Sequence, residues 1–390
     1  MGKRLASIDI LRAITMVLMI WVNDFWTLGQ VPKWLEHASR DEDYLGFSDI
    51  IFPLFLFIVG LSIPFAIDSR LGKNESRAPI AKHIATRSIS LLIIGFFMVN
   101  YETAHDGSML IGKYLWCLLM ALAVVLIWTD WKKSPVPQRW HTLLQLMGVL
   151  IFVFLAIIYR GGELGQKGMS PQWWGILGLI GWAYLLNALV YLYSKGNLIP
   201  IVLLWLALNL FSVLDQTEMR PDLNGFMQYF STIFSGTIPA FTAAGMMASV
   251  IYKKLWGSDK IYIVLLILGV LNLIYGFAVR PIWGISKLQG TPSWLAICTG
   301  IGFLFFVLLY YIADVKKWTG WAKIIAPAGT ATLSCYMVPY FVYPIRDITG
   351  IRLPDIWNTA AIGLLISFVF AILVVVFTGW LQRKGYSLKL

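Results

Sequence analysis

Residues 49–68 read DIIFPLFLFIVGLSIPFAID, and this stretch decides the fold class. It carries no charged residue between its two terminal aspartates. An apolar run of about 20 residues is long enough to cross a bilayer as a helix. The helix is required because lipid offers no partner for backbone N–H and C=O groups. The stretch therefore predicts a transmembrane α-helix.

The same pattern recurs along the whole chain, and it predicts an all-α, polytopic transmembrane helical bundle of about 11–12 spans. The predicted spans are 7–27, 49–68, 84–101, 110–129, 142–159, 173–193, 198–214, 228–250, 261–279, 293–313, 323–341 and 358–380. The fifth to seventh spans are short, which keeps eleven open as the alternative to twelve. We expect residues 1–390 to form a single domain.

The composition agrees with a membrane protein. Only 13% of the residues are charged, against roughly a quarter in soluble domains, and the mean hydropathy is +0.73. The net charge of +11 could indicate nucleic-acid binding. The basic residues, however, fall mainly on alternate loops, with twice as many on one set, which includes Lys3 and Arg4, as on the other, which includes Arg220. By the positive-inside rule we expect both termini in the cytoplasm, and no nucleic-acid partner.

The cysteines and histidines do not indicate a metal site. The three cysteines lie in apolar stretches and form no CxxC pair, so we expect neither a structural disulfide nor a Cys-based metal site. The four histidines are scattered over both predicted membrane faces, and no HExxH motif occurs. We therefore predict that no metal is bound.

His37 is the strongest candidate for catalysis, since it lies in a short polar segment, 34–43, between the first two predicted spans. Imidazole can act as a general base at neutral pH. Asp49 begins the second span, where it can hold the His37 ring and fix its tautomer, or simply cap the helix. Asn23 ends the first span, where it can donate to a developing oxyanion, or merely terminate the helix. All three belong at the outer ends of two consecutive antiparallel helices, so we expect them to converge. The alternative for His37 is a solvated loop histidine.

A second group of residues could bind a phosphorylated ligand on the cytoplasmic side. Asp9 and Arg12 share one face of the first helix, for which Ser7 is a plausible N-cap. An arginine within a membrane span suggests function, and a guanidinium can hold a phosphate. Lys82 and Arg87 lie in the most basic predicted cytoplasmic segment. That segment can contact anionic lipids, or it can dock a polyanionic cofactor.

Several stretches in this order resemble the heparan-α-glucosaminide N-acetyltransferase family. The stretches that carry the resemblance are 7–12, 22–23, 36–39, 47–60, 171–178, 291–294 and 313–318. The resemblance implies a transmembrane acyltransferase that moves an acetyl group from cytoplasmic acetyl-CoA to an amino sugar on the far side of the membrane. It maps the catalytic histidine onto His37, the helix-ending Asn onto Asn23 and the Asp before Phe-Pro onto Asp49, so that the catalytic motif lies within residues 5–60. It also implies a homodimer and a bacterial source, hence the bacterial inner membrane.

The chemistry of the residues agrees with this resemblance. An amino sugar must lose a proton before it attacks a thioester, and imidazole suits that task. We expect Arg12, Arg87 and Lys82 to hold the nucleotide phosphates of acetyl-CoA. Direct attack and an acetyl-histidine intermediate both remain open. An amino-sugar or N-acetylglucosamine transporter is the alternative function, because many spans and intramembrane charges fit that class too. A non-catalytic membrane scaffold is the second alternative function.

Overall fold

The computed structural model describes residues 5–217, 219 and 223–390. Over these ranges the chain is all-α, with isolated β-bridges but no strand, and the predicted fold class is confirmed. The α-helices are α1 (Ala6–Asn23), α2 (Ser48–Leu71), α3 (Arg77–Glu102), α4 (Lys113–Trp128), α5 (His141–Ile158), α6 (Gly175–Ser194), α7 (Leu198–Asp215), α8 (Ser231–Phe234), α9 (Thr237–Lys254), α10 (Lys260–Trp283), α11 (Pro292–Leu309), α12 (Ala326–Thr330), α13 (Thr332–Met337), α14 (Pro339–Thr349) and α15 (Ala360–Arg383). Lys3, Arg4 and Arg220, which entered the predicted orientation, lie outside the described residues.

Within the described residues, nine helical segments are long and apolar enough to cross a membrane, or ten if a bent pair counts as one span. That pair is Gly225–Phe234 with Thr237–Lys254, which meet at 42°. The predicted span 110–129 is the shorter apolar helix α4, of 16 residues. The chain is therefore a multi-pass membrane protein.

The predicted span 323–341 does not form one helix. It is divided among α12, α13 and the start of α14, and Ala331 leaves the helical conformation between the first two, with φ −124° and ψ 45°. Pro327 and Pro339 stand in the first turns of α12 and α14. Proline is tolerated in a first turn but clashes with the preceding turn in a helix interior, so each proline begins a new helix here.

The contacts of the chain group into two compact units. Unit 1 comprises Met1–Thr15, Pro32–Ile89 and Leu179–Ala322, and unit 2 comprises Met16–Val31, Ser90–Gly178 and Lys323–Leu390. Helices α1, α3 and α6 each contribute residues to both units. The single domain over 1–390, with its catalytic motif within 5–60, stays a prediction.

In unit 1, α2 and α9 pack with their backbones in contact. A Cβ on Gly60 would lie 1.9 Å from the carbonyl oxygen of Thr242, and a Cβ on Gly245 would lie 1.9 Å from that of Phe57. The Thr242 hydroxyl donates to the carbonyl oxygen of Leu56 at 3.2 Å. Small residues that permit such close approach, with interhelical hydrogen bonds, are the usual means of helix association in membranes. This packing holds α2, whose first turn carries Asp49.

The start of α1 is capped by a residue far away in sequence. The Asp314 carboxylate accepts from the backbone N–H of Ala6 at 2.8 Å and from that of Ser7 at 2.9 Å. The prediction of Ser7 as the N-cap is therefore wrong, because Ser7 lies inside the first turn and Asp314 satisfies the free N–H groups there. Asp314 belongs to a π-helical turn, Tyr310–Val315, that follows α11.

Unit 2 is built around aromatic packing between α3, α4 and α5. Trp116 of α4 is fully buried, and its indole N–H donates to the carbonyl oxygen of Leu155 at 3.1 Å. The rings of Phe97 and Phe152 pack with centroids 4.2 Å apart. Apolar helices joined by aromatic contacts and satisfied indole groups are what a lipid-embedded core requires.

Candidate active site

Asp49 is the centre of the candidate site in unit 1. It lies in the first turn of α2, and its side chain is only 1% exposed. Its Oδ1 lies 2.7 Å from His37 Nδ1, and its Oδ2 accepts from the backbone N–H groups of Ala38 at 3.0 Å and Gly46 at 3.2 Å. Hydrogen bonds of this kind compensate the loss of hydration of a buried carboxylate. Asp49 thereby fixes both the His37 ring and the loop that carries it.

The loop before α2 folds tightly over the start of that helix. The Ser48 hydroxyl donates to the carbonyl oxygen of Leu35 at 2.5 Å. Gly46 passes so close to the Glu36 carbonyl that a Cβ on Gly46 would lie 1.8 Å from that oxygen. Glycine is the residue that permits such a close backbone approach. Any side chain at position 46 must therefore displace the part of the loop that precedes His37.

An ion pair joins this loop to the end of α10. Arg280 Nε donates to both carboxylate oxygens of Asp43, at 2.9 and 3.1 Å, and the backbone N–H of Ile285 donates to Asp43 Oδ1 at 2.7 Å. The Ser286 hydroxyl donates to the carbonyl oxygen of Arg40 at 2.8 Å. These contacts bring the segment after α10 alongside the His37 loop.

Lys287 lies on that segment and completes the charged cluster. Its Nζ is 3.2 Å from His37 Nδ1 and 3.9 Å from Asp49 Oδ1, and its side chain is 22% exposed. Burial lowers the pKa of Lys287 below its ordinary value, and the Asp49 carboxylate partly opposes that shift. The site thus places a cationic group of weakened proton affinity beside the imidazole.

The geometry determines which nitrogen of His37 is available. A ring nitrogen is either a donor or an acceptor, and its short contact with the Asp49 carboxylate assigns the hydrogen to Nδ1. In the neutral ring, Nε2 then carries the lone pair. Lys287 cannot donate to the same Nδ1, so it acts on the pair through its charge. The His37 side chain is 45% exposed, so the ring reaches the surface of the protein.

Comparison with known proteins shows the family. A family model described as Heparan-alpha-glucosaminide N-acetyltransferase, catalytic, matches residues 4–221, which is more than half of the chain. This chain belongs to that N-acetyltransferase family. The family predicted from the sequence is therefore confirmed.

Two curated relatives of this family member align over a short region. Heparan-alpha-glucosaminide N-acetyltransferase of Homo sapiens is 38% identical over 98 residues, which is 25% of this chain and 14% of the relative. The enzyme of the same name from Mus musculus is 34% identical over 100 residues, with the same coverage of 25% and 14%. The alignments thus cover about a quarter of this chain and a small part of each relative.

Arg12, Arg87 and Lys82, which are expected to hold the nucleotide phosphates, differ from one another in what their side chains contact. Arg12 Nη2 donates to Ser62 Oγ at 2.5 Å, and its Nη1 lies 3.4 Å from Asp9 Oδ1. The Arg87 guanidinium lies 4.7 Å from the centre of the Tyr184 ring. Lys82 is exposed on α3. Their role as phosphate ligands stays a prediction.

Asn23 belongs to unit 2, whereas His37 and Asp49 belong to unit 1. It is the last residue of α1, and it lines a cavity of about 410 Å³ in unit 2. The structure brings His37 and Asp49 together. The convergence of Asn23 with them, and the catalytic role of all three, stay predictions. Among the described residues, no group of three His, Cys, Asp or Glu side chains is arranged to hold a metal ion.

Sequence reasoning missed Lys287 and counted it only toward membrane orientation. The contact between Lys287 and His37 joins residues 250 positions apart, so no local spacing reveals it. The feature of the sequence that could have indicated this region is the stretch 291–294, which resembles the family and lies just after Lys287. Trp294 of that stretch is buried, and its indole N–H donates to the backbone carbonyl oxygen of Asp49 at 3.1 Å. Both residues lie beyond the range 4–221 that the N-acetyltransferase family model matches.

Proposed function

We propose that this protein is a transmembrane acyltransferase that moves an acetyl group from cytoplasmic acetyl-CoA to an amino sugar of glucosamine type on the periplasmic side. The observation that carries the proposal is the His37–Asp49 pair at 2.7 Å, in a chain whose family is named for N-acetyl transfer. A buried carboxylate on one ring nitrogen and an open lone pair on the other form the arrangement that general-base catalysis requires.

The reaction follows from this geometry. His37 Nε2 takes a proton from the acceptor amine while the amine nitrogen attacks the thioester carbonyl carbon. The C–S bond then breaks, and the departing thiolate of CoA takes this proton from the imidazolium. Asp49 holds the ring and stabilises the imidazolium while it exists. Asn23 stays the predicted oxyanion donor, a role that contributes about 3–4 kcal/mol in other acyl-transfer sites.

Lys287 is a positioning residue in this scheme. At 3.9 Å from Asp49 Oδ1, its ammonium group balances the carboxylate charge while His37 is neutral. Its lowered pKa reflects how poorly this partly buried position accommodates the cation. When His37 becomes an imidazolium, the cluster holds two cations beside one anion, which favours prompt transfer of the proton to CoA.

The orientation of the protein supplies the sidedness of the reaction. The excess of basic residues on one set of loops supports cytoplasmic termini and a multi-pass position in a bacterial inner membrane, in contact with its lipids. Arg12, Arg87 and Lys82 then hold the phosphates of acetyl-CoA, the co-substrate, on the cytoplasmic side. The homodimer rests on the family resemblance.

Acetyl transfer in proteoliposomes tests the proposed function. Labelled acetyl-CoA is placed on one side and glucosamine on the other, with wild type and His37→Ala in parallel and His105→Ala as the matched loop-histidine control. We expect labelled N-acetylglucosamine from wild type and His105→Ala, and none from His37→Ala. Sugar uptake that needs no acetyl-CoA, with no acetylated product, would identify the alternative transporter instead. Labelled acetyl trapped on the protein without acceptor would contradict direct attack.

A further inference from the structure

An apolar groove in unit 2 lies between the end of α4, α13, the start of α14 and the end of α15. It has a volume of about 450 Å³, and the lining side chains that matter here are Val338, Phe341, Val342, Phe377, Leu381 and Leu388. Val342 and Phe377 are also exposed on the outside of the protein, and Phe377 belongs to α15, which is long and apolar enough to cross a membrane. Ligand sites are typically apolar cavities of roughly 300–1,000 Å³. The groove therefore opens toward lipid and suits an apolar chain.

The segment that follows α15 forms one wall of this groove. The backbone N–H of Asp130 donates to the carbonyl oxygen of Ser387 at 2.9 Å. The backbone N–H of Leu388 donates to Ser334 Oγ, also at 2.9 Å. Leu388 forms an isolated antiparallel β-bridge with Thr129 as well. These contacts hold the segment across the ends of α4 and α13, which places Leu388 in the wall of the groove.

Cationic side chains gather at this end of the groove. Arg383, Lys384 and Lys389 lie at the end of α15 and on the segment after it, and all three are exposed. Lys389 Nζ lies 3.9 Å from Asp130 Oδ2, and Lys133 Nζ lies 3.4 Å from the same oxygen. One carboxylate thus lies beside two of these four cations, which leaves an excess of positive charge. Because exposed ion pairs are weak, both ammonium groups can turn to an anionic ligand.

We propose that this groove binds one anionic phospholipid, whose acyl chain lies along the apolar wall and whose phosphate group contacts Lys133, Lys384 and Lys389. An apolar slot that ends in a cluster of cations matches the two parts of such a lipid. Phosphate oxygens accept charge-assisted hydrogen bonds from ammonium groups. A zwitterionic lipid can place the same chain in the groove, but its own cation is repelled by the cluster. The proposal goes beyond acetyl transfer and depends only on the multi-pass fold and on unit 2.

Lipid binding to the purified full-length protein in detergent tests this assignment. Dioleoylphosphatidylglycerol and dioleoylphosphatidylcholine carry the same acyl chains, so a difference between them reports on the headgroup. Each lipid is titrated at low ionic strength, and native mass spectrometry counts the lipids that stay bound to each chain. We expect one tightly bound phosphatidylglycerol per chain, and an affinity for phosphatidylcholine that is at least tenfold weaker.

A pair of charge variants tests the headgroup contacts. Lys384→Gln with Lys389→Gln should weaken phosphatidylglycerol binding at least tenfold and leave phosphatidylcholine binding unchanged, because only the anionic headgroup uses these cations. Lys254→Gln with Lys260→Gln is the matched control, since it removes two exposed cations of unit 1. We expect the control to bind both lipids like wild type.

A pair of tryptophan variants tests the groove itself. Val342→Trp fills the groove and should weaken the binding of both lipids at least tenfold. Val149→Trp, at an exposed valine of α5 outside the groove lining, is the matched control and should bind both lipids like wild type. Thermal melts of each variant without added lipid show whether a loss of binding is a loss of folding. The charge variant alters only exposed side chains, so it keeps the test decisive if Val342→Trp is unstable.

Three results would each overturn the lipid site. The first is equal affinity for the two lipids. The second is wild-type lipid binding in the charge variant or in a folded Val342→Trp protein. The third is the same loss of phosphatidylglycerol binding in the Lys254 and Lys260 control, which would reveal a general effect of surface charge. Selective binding that both test variants lose and both controls keep upholds the site, whether or not the protein transfers acetyl groups.

Discussion

His37 and Asp49 are 12 residues apart in sequence and 2.7 Å apart in space, and they differ sharply in exposure. The carboxylate of Asp49 is 1% exposed, whereas the imidazole of His37 is 45% exposed. The pair therefore has one end fixed inside the protein and the other open to a ligand. This asymmetry is what a general base requires, because a fixed carboxylate orients a ring that reaches solvent.

Asp49→Asn should reverse the tautomer of His37 while nearly preserving the volume of the side chain. An amide can place its own NH₂ toward Nδ1, which then accepts and leaves the hydrogen on Nε2, the wrong tautomer for a base. We expect the rate of acetyl transfer to fall by roughly 10²–10⁴, the usual contribution of general acid–base catalysis. Initial rates from labelled acetyl-CoA measure this. Asp355→Asn, an exposed carboxylate in unit 2, is the control, and equal rates for the two variants would remove His37 from the chemistry.

Lys287→Met should change how stability depends on pH. Because the pKa of Lys287 is lowered in the folded state, the unfolded chain binds this proton more tightly between the folded pKa and the ordinary value of 10.5. The stability of wild type relative to the Met variant should therefore rise with pH through that window. Thermal melts from pH 7 to pH 10.5 measure the difference, with the exposed Lys132→Met as control. A difference that stays constant or falls with pH would show that burial does not disfavour the Lys287 cation.

Gly46→Ala should damage the site through one added methyl group. The new Cβ would lie 1.8 Å from the Glu36 carbonyl oxygen, so the loop before His37 must move. Overpacking of this kind destabilises by about 1–3 kcal/mol, and we expect acetyl transfer to fall more than tenfold. Gly320→Ala is the matched control, because a Cβ there meets nothing within 4 Å. Wild-type activity in Gly46→Ala would mean that the loop tolerates displacement and does not set the position of His37.

Asp314→Ala should lower stability by removing the cap of α1. Loss of an N-cap costs about 0.5–2 kcal/mol, and here two backbone N–H groups lose their acceptor. Asp259→Ala is a close control, because Asp259 precedes α10 without a side-chain cap hydrogen bond. Thermal unfolding in detergent should show a lower midpoint for Asp314→Ala than for Asp259→Ala. Identical midpoints would indicate that water satisfies the first turn of α1 equally well.

The sequence was sufficient wherever the physical constraint is local. The helix around residues 49–68 follows from an uninterrupted apolar run, since lipid forces such a run to be helical. The pairing of His37 with Asp49 was predictable because one loop joins them at the end of that helix. The predicted single span 323–341 was wrong, because prolines break this apolar run into short helices although it is long enough to cross a membrane.

Only the tertiary structure decided the contacts that join distant segments. Lys287 reaches His37 across 250 positions, and Asp314 caps Ala6 across 308 positions. Neither side chain carries a signal in its own neighbourhood, because a lone lysine or aspartate at a helix end is equally explained by orientation or solvation. Helix packing, set by close contacts such as that of Gly60 with Thr242, determines which distant loops meet. The sequence by itself therefore determined the membrane fold, the family and the candidate base, while the folded chain decided which charges surround that base.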